Sequence, residues 1–207
     1  RPADVPFDGH TIIDSDGLIA LKHLPKSMVI VGGGVIGTEY ASILSTIGVQ
    51  VVLIDKRPRL LEFVDAQIID ALQRQMKDIG VTLCHDEEVV AIGKEPDGQV
   101  TVSLTHRPPI TTSTLMYAIG RIGATKHLNL EAVGLTPDAR GRIVVNEHFQ
   151  TTVPHIYAVG DVIGFPALSS TSMQQGRHAA CHAFGHPDHI DTGLLPYGIY
   201  TIPEIST

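Results

Sequence analysis

Val29-Ile30-Val31-Gly32-Gly33-Gly34-Val35-Ile36-Gly37-Thr38-Glu39 is the stretch on which the fold turns. Ser27 to Val31 is a short apolar run of β-type residues, three glycines follow at once, and Glu39 to Ile47 carries apolar positions at helical spacing. The string fits G-x-G-x-x-G, and a strand before it with a helix after it is the context that gives this string meaning. Gly32 is expected to make the tight turn. Gly34 would let backbone approach a pyrophosphate where a Cβ would collide, and Gly37 would allow close helix-to-strand packing. The phosphates would sit at the helix N-terminus, where free N–H groups and the helix dipole favour negative charge. Gly32, Gly34, Val35, Ile36 and Gly37 are therefore candidate cofactor-binding residues.

Outward from the turn, Gly48 closes the helix, Val49 to Ile54 forms a second apolar strand, and Asp65 to Ile79 reads as an amphipathic helix capped at Gly80. This βαβα order implies a parallel sheet. A third strand is expected at Val81 to Cys84. Alternation at Val89 to Ile92, Val100 to Leu104 and Ile110 to Thr114 predicts an antiparallel meander, with Pro96-Asp97-Gly98 as a turn. Leu115 to Gly120 reads as a further buried strand, and Ile156 to Asp161 as another, ahead of a helix from Ser172 to Phe184. Residues 1 to 25, rich in Pro, Asp and Gly, read as a connector with only Thr11 to Ile13 strand-like. From Gly193 the tail has no helical periodicity. The fold class is thus α/β and Rossmann-like, a parallel sheet with an antiparallel meander.

Asp55 ends the second strand roughly 20 residues beyond the glycines, where a carboxylate accepts hydrogen bonds from an adenosine ribose and favours NAD over NADP. Lys56, Arg57 and Arg59 beside it complicate that inference, because cations there can pair with a 2′-phosphate. The other reading is that they are solvated loop charges. Glu39, one turn into the helix, is either dipole chemistry or a functional group.

The 207 residues carry 15 Lys and Arg against 22 Asp and Glu, a formal charge of -7 with both signs scattered, so a nucleic-acid surface is not expected and the partners are small molecules. No apolar stretch is long enough to span a bilayer. Cys84 and Cys181 match neither a disulfide framework nor a CxxC pattern and read as reduced thiols in a cytoplasmic protein. Arg1 to Asp4 lacks the layout of a signal peptide. The missing initiator Met and the open tail lead to the expectation of an internal piece of a longer chain. His178, His182 and His186 fall at i, i+4 and i+8, which stacks them on one helix face, read as solvated and not as a metal site.

Three ordered strings, Val29 to Glu39, Tyr117-Ala118-Ile119-Gly120-Arg121 and Ile156-Tyr157-Ala158-Val159-Gly160-Asp161-Val162, together resemble the two-dinucleotide flavoprotein reductases, the family of dihydrolipoamide dehydrogenase, glutathione reductase and mercuric reductase. Within it, Glu39-Tyr40-Ala41-Ser42-Ile43, Arg59-Leu60-Leu61, Gln175-Gly176-Arg177 and Gly198 to Ser206 are most similar to the soluble transhydrogenase branch. Leu168-Ser169-Ser170-Thr171 departs from the Leu-Ala-His typical of dihydrolipoamide dehydrogenases. Ile122-Gly123-Ala124 also stands where the family usually has Pro-Asn after Gly-Arg.

The resemblance implies FAD, NAD and NADP as cofactors, with Gly120 at the nicotinamide domain boundary and Gly160, Asp161 and Leu168 on the FAD side, the carboxylate reaching the ribityl chain. Glu39 would lie near the nicotinamide. The activity implied is hydride transfer between NADPH and NAD through FAD, one site serving both nucleotides. Residues 1–25 would lead from the FAD domain, 26–147 form the NAD(P)-binding domain, and 148–207 return into an incomplete FAD domain. The parent enzyme would be a homo-oligomer through a C-terminal domain, and the chain alone would be inactive. The alternatives are a disulfide reductase of the dihydrolipoamide dehydrogenase kind and a module that only binds NAD(P).

Overall fold

A computed structural model describes residues 1–2, 4–187 and 196–207. The chain divides into two compact units, Arg1–Gly120 with Tyr197–Thr207, and Arg121–Pro196.

The first unit is built on a five-stranded sheet. Its strands are β1 (Ile12–Asp14), β2 (Ser27–Val31), β3 (Gln50–Ile54), β4 (Thr82–Cys84) and β8 (Thr114–Tyr117). The spatial order is β1-β8-β2-β3-β4 and every pair is parallel. Helix α2 (Val35–Thr46) joins β2 to β3, and α3 (Ala66–Asp78) joins β3 to β4. After β4 the chain crosses the other face as an antiparallel meander, β5 (Val89–Lys94), β6 (Val100–Leu104) and β7 (Ile110–Thr112), before returning through β8 on the far side of β2. The order therefore reverses at β2. In open parallel sheets the crevice at the carboxyl ends of the strands beside such a reversal is where ligands bind.

Strand alternation explains the two faces. Met28, Ile30, Val51, Leu53 and Met116 point to the helices and pack with Ala41, Leu44, Ile69, Leu72 and Met76. Val29, Val31, Ile54 and Leu115 point the other way, onto Val100, Val102 and Leu104 of the meander. Both faces are covered, which is why β2 and β3 read as unbroken apolar runs. Helix α2 presents Gly37, Thr38, Ala41, Ser42 and Leu44 to the interior, mostly small residues that let its backbone lie close to the sheet. Helix α3 begins at Asp65, whose carboxylate accepts from the N–H of Gln67 at 2.8 Å and of Ile68, and it ends before Gly80, at φ +97°. Gly48, at φ +95°, closes α2 in the same way.

Two features differ from the sequence reading. The strand-like residues at Thr11 to Ile13 do join the sheet, as β1, but the stretch read as a connector also holds a five-residue helix, α1 (Ser15–Ile19). Asp8 makes this possible: its carboxylate accepts from the N–H groups of His10, Thr11 and Ile12 and from Lys94 Nζ at 2.7 Å, fixing the turn that feeds β1. The tail also gains order. Gly198–Ile199 and Ile205–Ser206 pair antiparallel as β9 and β10, with Ile199 fully buried in the helix-side core. Gly193, where that tail was taken to begin, lies outside the described residues.

In the second unit the strand expected at Ile156 to Asp161 is not formed. A single bridge joins Tyr157 to Gln150, and the flanking bonds, Ala158 N–H to Phe149 O and Thr151 N–H to Ile156 O, close a tight loop instead. Gly160–Ile163 then winds into a 3-10 turn, and α4 runs over Ser169–Ala183. An extended apolar run becomes a strand only when neighbours take up its N–H and C=O groups, and here the chain's own hairpin takes them.

Candidate functional site

Because the sheet is parallel, the residues after β2, β3, β4 and β8 all emerge at one edge, bringing Gly32 to Gly37, Asp55 to Arg59, His85 to Glu87 and Gly120 to the same end of the unit. Gly32 sits at φ +110°, and a Cβ there would lie 2.5 Å from the Ala118 carbonyl oxygen. At Gly37 a Cβ would lie 1.8 Å from the Gly32 carbonyl oxygen, so the first turn of α2 rests directly on the glycine turn. Gly34, the N-cap of α2, is different: a Cβ there would meet nothing within 4 Å, and no side chain caps the first turn. Backbone N–H groups at that end of α2, which also carry the positive pole of the helix, are open to an anion.

Asp55 is buried and lies 22 residues along the chain from Gly33, whose N–H donates to its Oδ2. Arg57 supplies the remaining donors: its backbone N–H and Nε each reach Oδ1 at 2.8 Å, and Nη2 reaches Oδ2 at 2.8 Å. Burial pushes the Asp55 carboxyl up, but the hydrogen bonds from Arg57 and Gly33 outweigh it and hold the group below the ordinary carboxylate range. The three cations read beside the ribose position thus separate. Lys56 approaches Glu88 at 3.9 Å and Arg59 pairs with Asp70 at 3.3 Å, while Arg57 alone covers Asp55.

Glu39 Oε1 accepts from the N–H of Tyr200 at 2.8 Å, and Ser42 Oγ accepts from the N–H of Ile202 at 3.0 Å. The tail hairpin is therefore tied to α2, an arrangement that no local pattern around Glu39 announced. Sequence reasoning also missed a cleft of about 440 Å³ lined by His85, Asp86, Glu87, His106 and Arg107. Glu87 is buried there, accepting from the His106 N–H at 3.0 Å with Arg107 Nε 3.5 Å away, and its own N–H bonds the Asp55 carbonyl. Only the spacing of polar residues just past β4 could have signalled it.

The second unit holds the Gly-Asp string. Gly160, at φ +76°, donates its N–H to Gln175 Oε1 at 2.7 Å, which locks the 3-10 turn to α4. Asp161 follows, half-exposed, with Arg121 Nη1 at 3.1 Å from its Oδ2. Leu168 is the N-cap of α4, and its carbonyl accepts from both the N–H and the Oγ of Ser172. A cleft of about 270 Å³ opens beside this turn, lined in part by Phe149, Ile163, Phe165 and Gln175.

The histidine face is rearranged. Helix α4 stops at Ala183, so His186 leaves the line of His178 and His182. His148 takes its place from the preceding loop: its Nδ1 lies 3.2 Å from His178 Nε2, and its ring stacks on His182 with centroids 4.1 Å apart. His182 Nδ1 lies 2.8 Å from the Tyr157 hydroxyl. Among the described residues no group of three or more His, Cys, Asp or Glu side chains is arranged to hold a metal ion. Cys84 and Cys181 are free, and burial raises the Cys84 thiol. No described helix is long and apolar enough to cross a membrane.

Residues 2–176 match the family described as pyridine nucleotide-disulphide oxidoreductase. A soluble pyridine nucleotide transhydrogenase of Mycobacterium tuberculosis is 51% identical over 206 residues, covering 100% of this chain and 44% of the relative. One from Chromohalobacter salexigens is 46% identical over 207 residues with the same coverage. The chain thus spans less than half the length of the curated relatives it matches. Among solved structures, LpdA from Mycobacterium tuberculosis superposes with a TM-score of 0.91 at 28% identity, over 100% of this chain and 45% of that one. The HOCl-induced flavoprotein disulfide reductase RclA from Escherichia coli gives 0.86 at 30%, over 100% and 48%. A parallel sheet whose order reverses at a glycine turn, a meander in place of one crossover helix, and a profile match over most of its length lead to one assignment: this chain belongs to the pyridine nucleotide-disulphide oxidoreductase family.

Proposed function

We propose that the whole protein is a soluble NAD(P)+ transhydrogenase of the Si-specific type, an FAD-dependent oxidoreductase that moves a hydride from NADPH to NAD+. The identity of 51% along the entire chain to a protein named soluble pyridine nucleotide transhydrogenase carries this reading. In it, residues 26–147 bind the pyridine nucleotides, 1–25 lead from the FAD domain and 148–207 return into it. The activity belongs to a cytoplasmic homo-oligomer, and this chain by itself does not turn over.

In this reading one site serves both nucleotides in turn. The pyrophosphate lies against the open first turn of α2 at Gly34, Val35, Ile36 and Gly37, with Gly32 shaping the approach and Gly120 flanking it from β8. Asp55, Lys56 and Arg57 form the adenosine end. Glu39, held by the Tyr200 N–H through one carboxylate oxygen, keeps its other oxygen for the nicotinamide end.

The Gly160–Asp161 turn has the chemistry to face a polyhydroxylated chain, since Asp161 is a half-exposed carboxylate on a turn fixed by Gln175, with Leu168 behind it at the start of α4. FAD bound there supplies a carrier that takes up and gives back a hydride; the protein's contribution is to orient the two tails and stack the rings.

The test is anaerobic: the full-length protein is reduced with NADPH and then mixed with NAD+, while flavin absorbance is followed. Rapid re-oxidation by NAD+, with no reduction by dihydrolipoamide, supports the transhydrogenase. Reduction by dihydrolipoamide would instead make the protein a disulfide reductase.

A further inference from the structure

Helix α4 and the hairpin that precedes the Gly160–Asp161 turn meet through histidines. His148 Nδ1 lies 3.2 Å from His178 Nε2 with the ring planes 10° apart, so the two nitrogens face one another across a single hydrogen bond. Such a bond needs one N–H and one bare nitrogen, whichever ring carries the proton. The neutral pair holds two protons on its ring nitrogens, one of them in the bridge. A third proton goes to the bare outer nitrogen of the donating ring and leaves the bridge intact. A fourth can go only to the accepting nitrogen, which sets two N–H groups against each other and places a second positive charge beside the first. The contact therefore survives one charge and breaks at two. The groups around it bear on that count. Glu147 Oε1, 3.7 Å from His148 Nε2, favours the first charge from an exposed position. His182 stacks on His148 with centroids 4.1 Å apart, its Nδ1 2.8 Å from the Tyr157 hydroxyl, so a charge there adds to the repulsion. Phe149 meets the His178 ring edge-on, and along α4 Arg177 and Cys181 adjoin His178 and His182 in sequence.

We propose that the His148–His178 pair is a proton-operated clasp, which holds the hairpin on α4 while the pair carries at most one charge and releases it when both rings are protonated. Histidine is the side chain whose charge ordinarily changes between about pH 5 and 8, so the clasp works in that range. What it controls follows from the chain. Gln150 and Tyr157 bridge the two arms of the hairpin, and Gln150 Nε2 lies 3.3 Å from the same Tyr157 hydroxyl that meets His182. Tyr157 leads through Ala158 and Val159 into Gly160, whose N–H is held by Gln175 of α4 at 2.7 Å. The clasp and the Gln175 bond are thus two ties from one helix to one short segment, and only the first depends on protons. Acidification frees the hairpin and leaves the Gly160–Asp161 turn held from one side. This behaviour does not depend on what the turn binds.

The test is hydrogen–deuterium exchange of the protein at about pH 8 and about pH 5, corrected for the intrinsic pH dependence of amide exchange. The amides read are Thr151 and Ala158, which close the hairpin, and Gly160. The quantity compared is the ratio of protection at the two pH values within each protein, so a variant's overall stability cancels. Wild-type protection at Thr151 and Ala158 should fall by about tenfold or more on acidification, the loss of a hydrogen bond compounded by like-charge repulsion, with a smaller fall at Gly160. His148→Phe keeps a ring on His182 but takes up no proton, and His178→Gln leaves one titrating ring in the pair. In each, whether the hairpin starts closed or open, protection should change by no more than about twofold between the two pH values. His155, exposed at the hairpin turn, and His182, outside the facing pair, are the controls: His155→Gln and His182→Gln should keep a fall within about threefold of the wild type. Equal wild-type protection at both pH values, or a fall that persists in His148→Phe and His178→Gln, overturns the clasp. A fall abolished by His155→Gln or His182→Gln overturns it too, since the switch would then lie outside the facing pair.

Discussion

Gly37 and Gly34 stand three residues apart in one turn, yet alanine should do opposite things at the two positions. At Gly37 the added Cβ would lie 1.8 Å from the Gly32 carbonyl oxygen, where ordinary contact begins beyond 3 Å. The obstacle is backbone, so no rotamer change relieves it, and the start of α2 must move by more than an ångström or unwind. Overpacking of this kind costs about 3 kcal/mol, the upper end of the usual range. For a chain of this size that is a fall in Tm of about 6 to 12 °C. At Gly34 φ is -79°, ordinary for any residue, and the Cβ enters open space. Stability should fall by only about 0.5 to 1 kcal/mol, the difference between glycine and alanine at an N-cap. If a pyrophosphate approaches there, the same methyl should weaken ADP-ribose binding by about tenfold or more. Thermal unfolding by circular dichroism and calorimetric titration with ADP-ribose read the two quantities separately. A Gly37→Ala variant as stable as the wild type would refute the packing argument. A Gly34→Ala variant that binds ADP-ribose undiminished would refute the placement of the phosphates.

Three further outcomes are expected. Asp55→Asn should cost about 2 to 3 kcal/mol in urea unfolding, because it leaves the Arg57 fork without its charged acceptor. For Asp8, burial pushes the carboxyl up, but Lys94, Thr11 and the N–H groups of Ile12 and His10 hold it well below its ordinary range; Asp55 is depressed as well. Carboxyls depressed in the folded state bind fewer protons than in the unfolded chain, so their stabilisation is complete above pH of about 4 and is lost on further acidification. The urea midpoint should therefore fall steeply below that pH, and Asp8→Asn, less stable at pH 7, should show a shallower fall. A parallel pair of curves would exclude Asp8 as a source. Finally, Ser42→Ala removes the acceptor of the Ile202 N–H, so amide exchange at Ile202 should accelerate by about tenfold, while the Tyr200 amide, held by Glu39, changes less. Equal acceleration at both would mean that the tail opens as one piece.

The parallel half of the fold was legible because each element carries its own signal. Ser27 to Val31 is apolar without alternation, as a strand covered on both faces must be, and the observed β2 has those bounds. Asp65 and Gly80 bracket α3 from the residues that cap it. What escaped depends on partners distant in sequence. Thr11 to Ile13 read as strand-like, but which sheet they join is decided by β8, a hundred residues later, which lies beside them. Ile156 to Asp161 has strand composition, but strand formation is a property of a pair, and the hairpin with Gln150 intercepts it. At the candidate site the spacing located Asp55 against the glycine turn, whereas the fork from Arg57, the cleft at Glu87 and the clasp between Glu39 and Tyr200 are three-dimensional coincidences that periodicity does not encode. His186 was misplaced because the i, i+4, i+8 spacing was followed past Phe184, where the helix was expected to end and does end.

The most direct measurement is competition between NADH and NADPH on this chain, followed by calorimetry and by dihydronicotinamide fluorescence. One binding site per chain, with each nucleotide displacing the other completely, is the result expected if the turn at Gly32 to Gly37 serves both. Simultaneous binding of the two, or binding that survives Gly34→Ala unchanged, would contradict a single shared site.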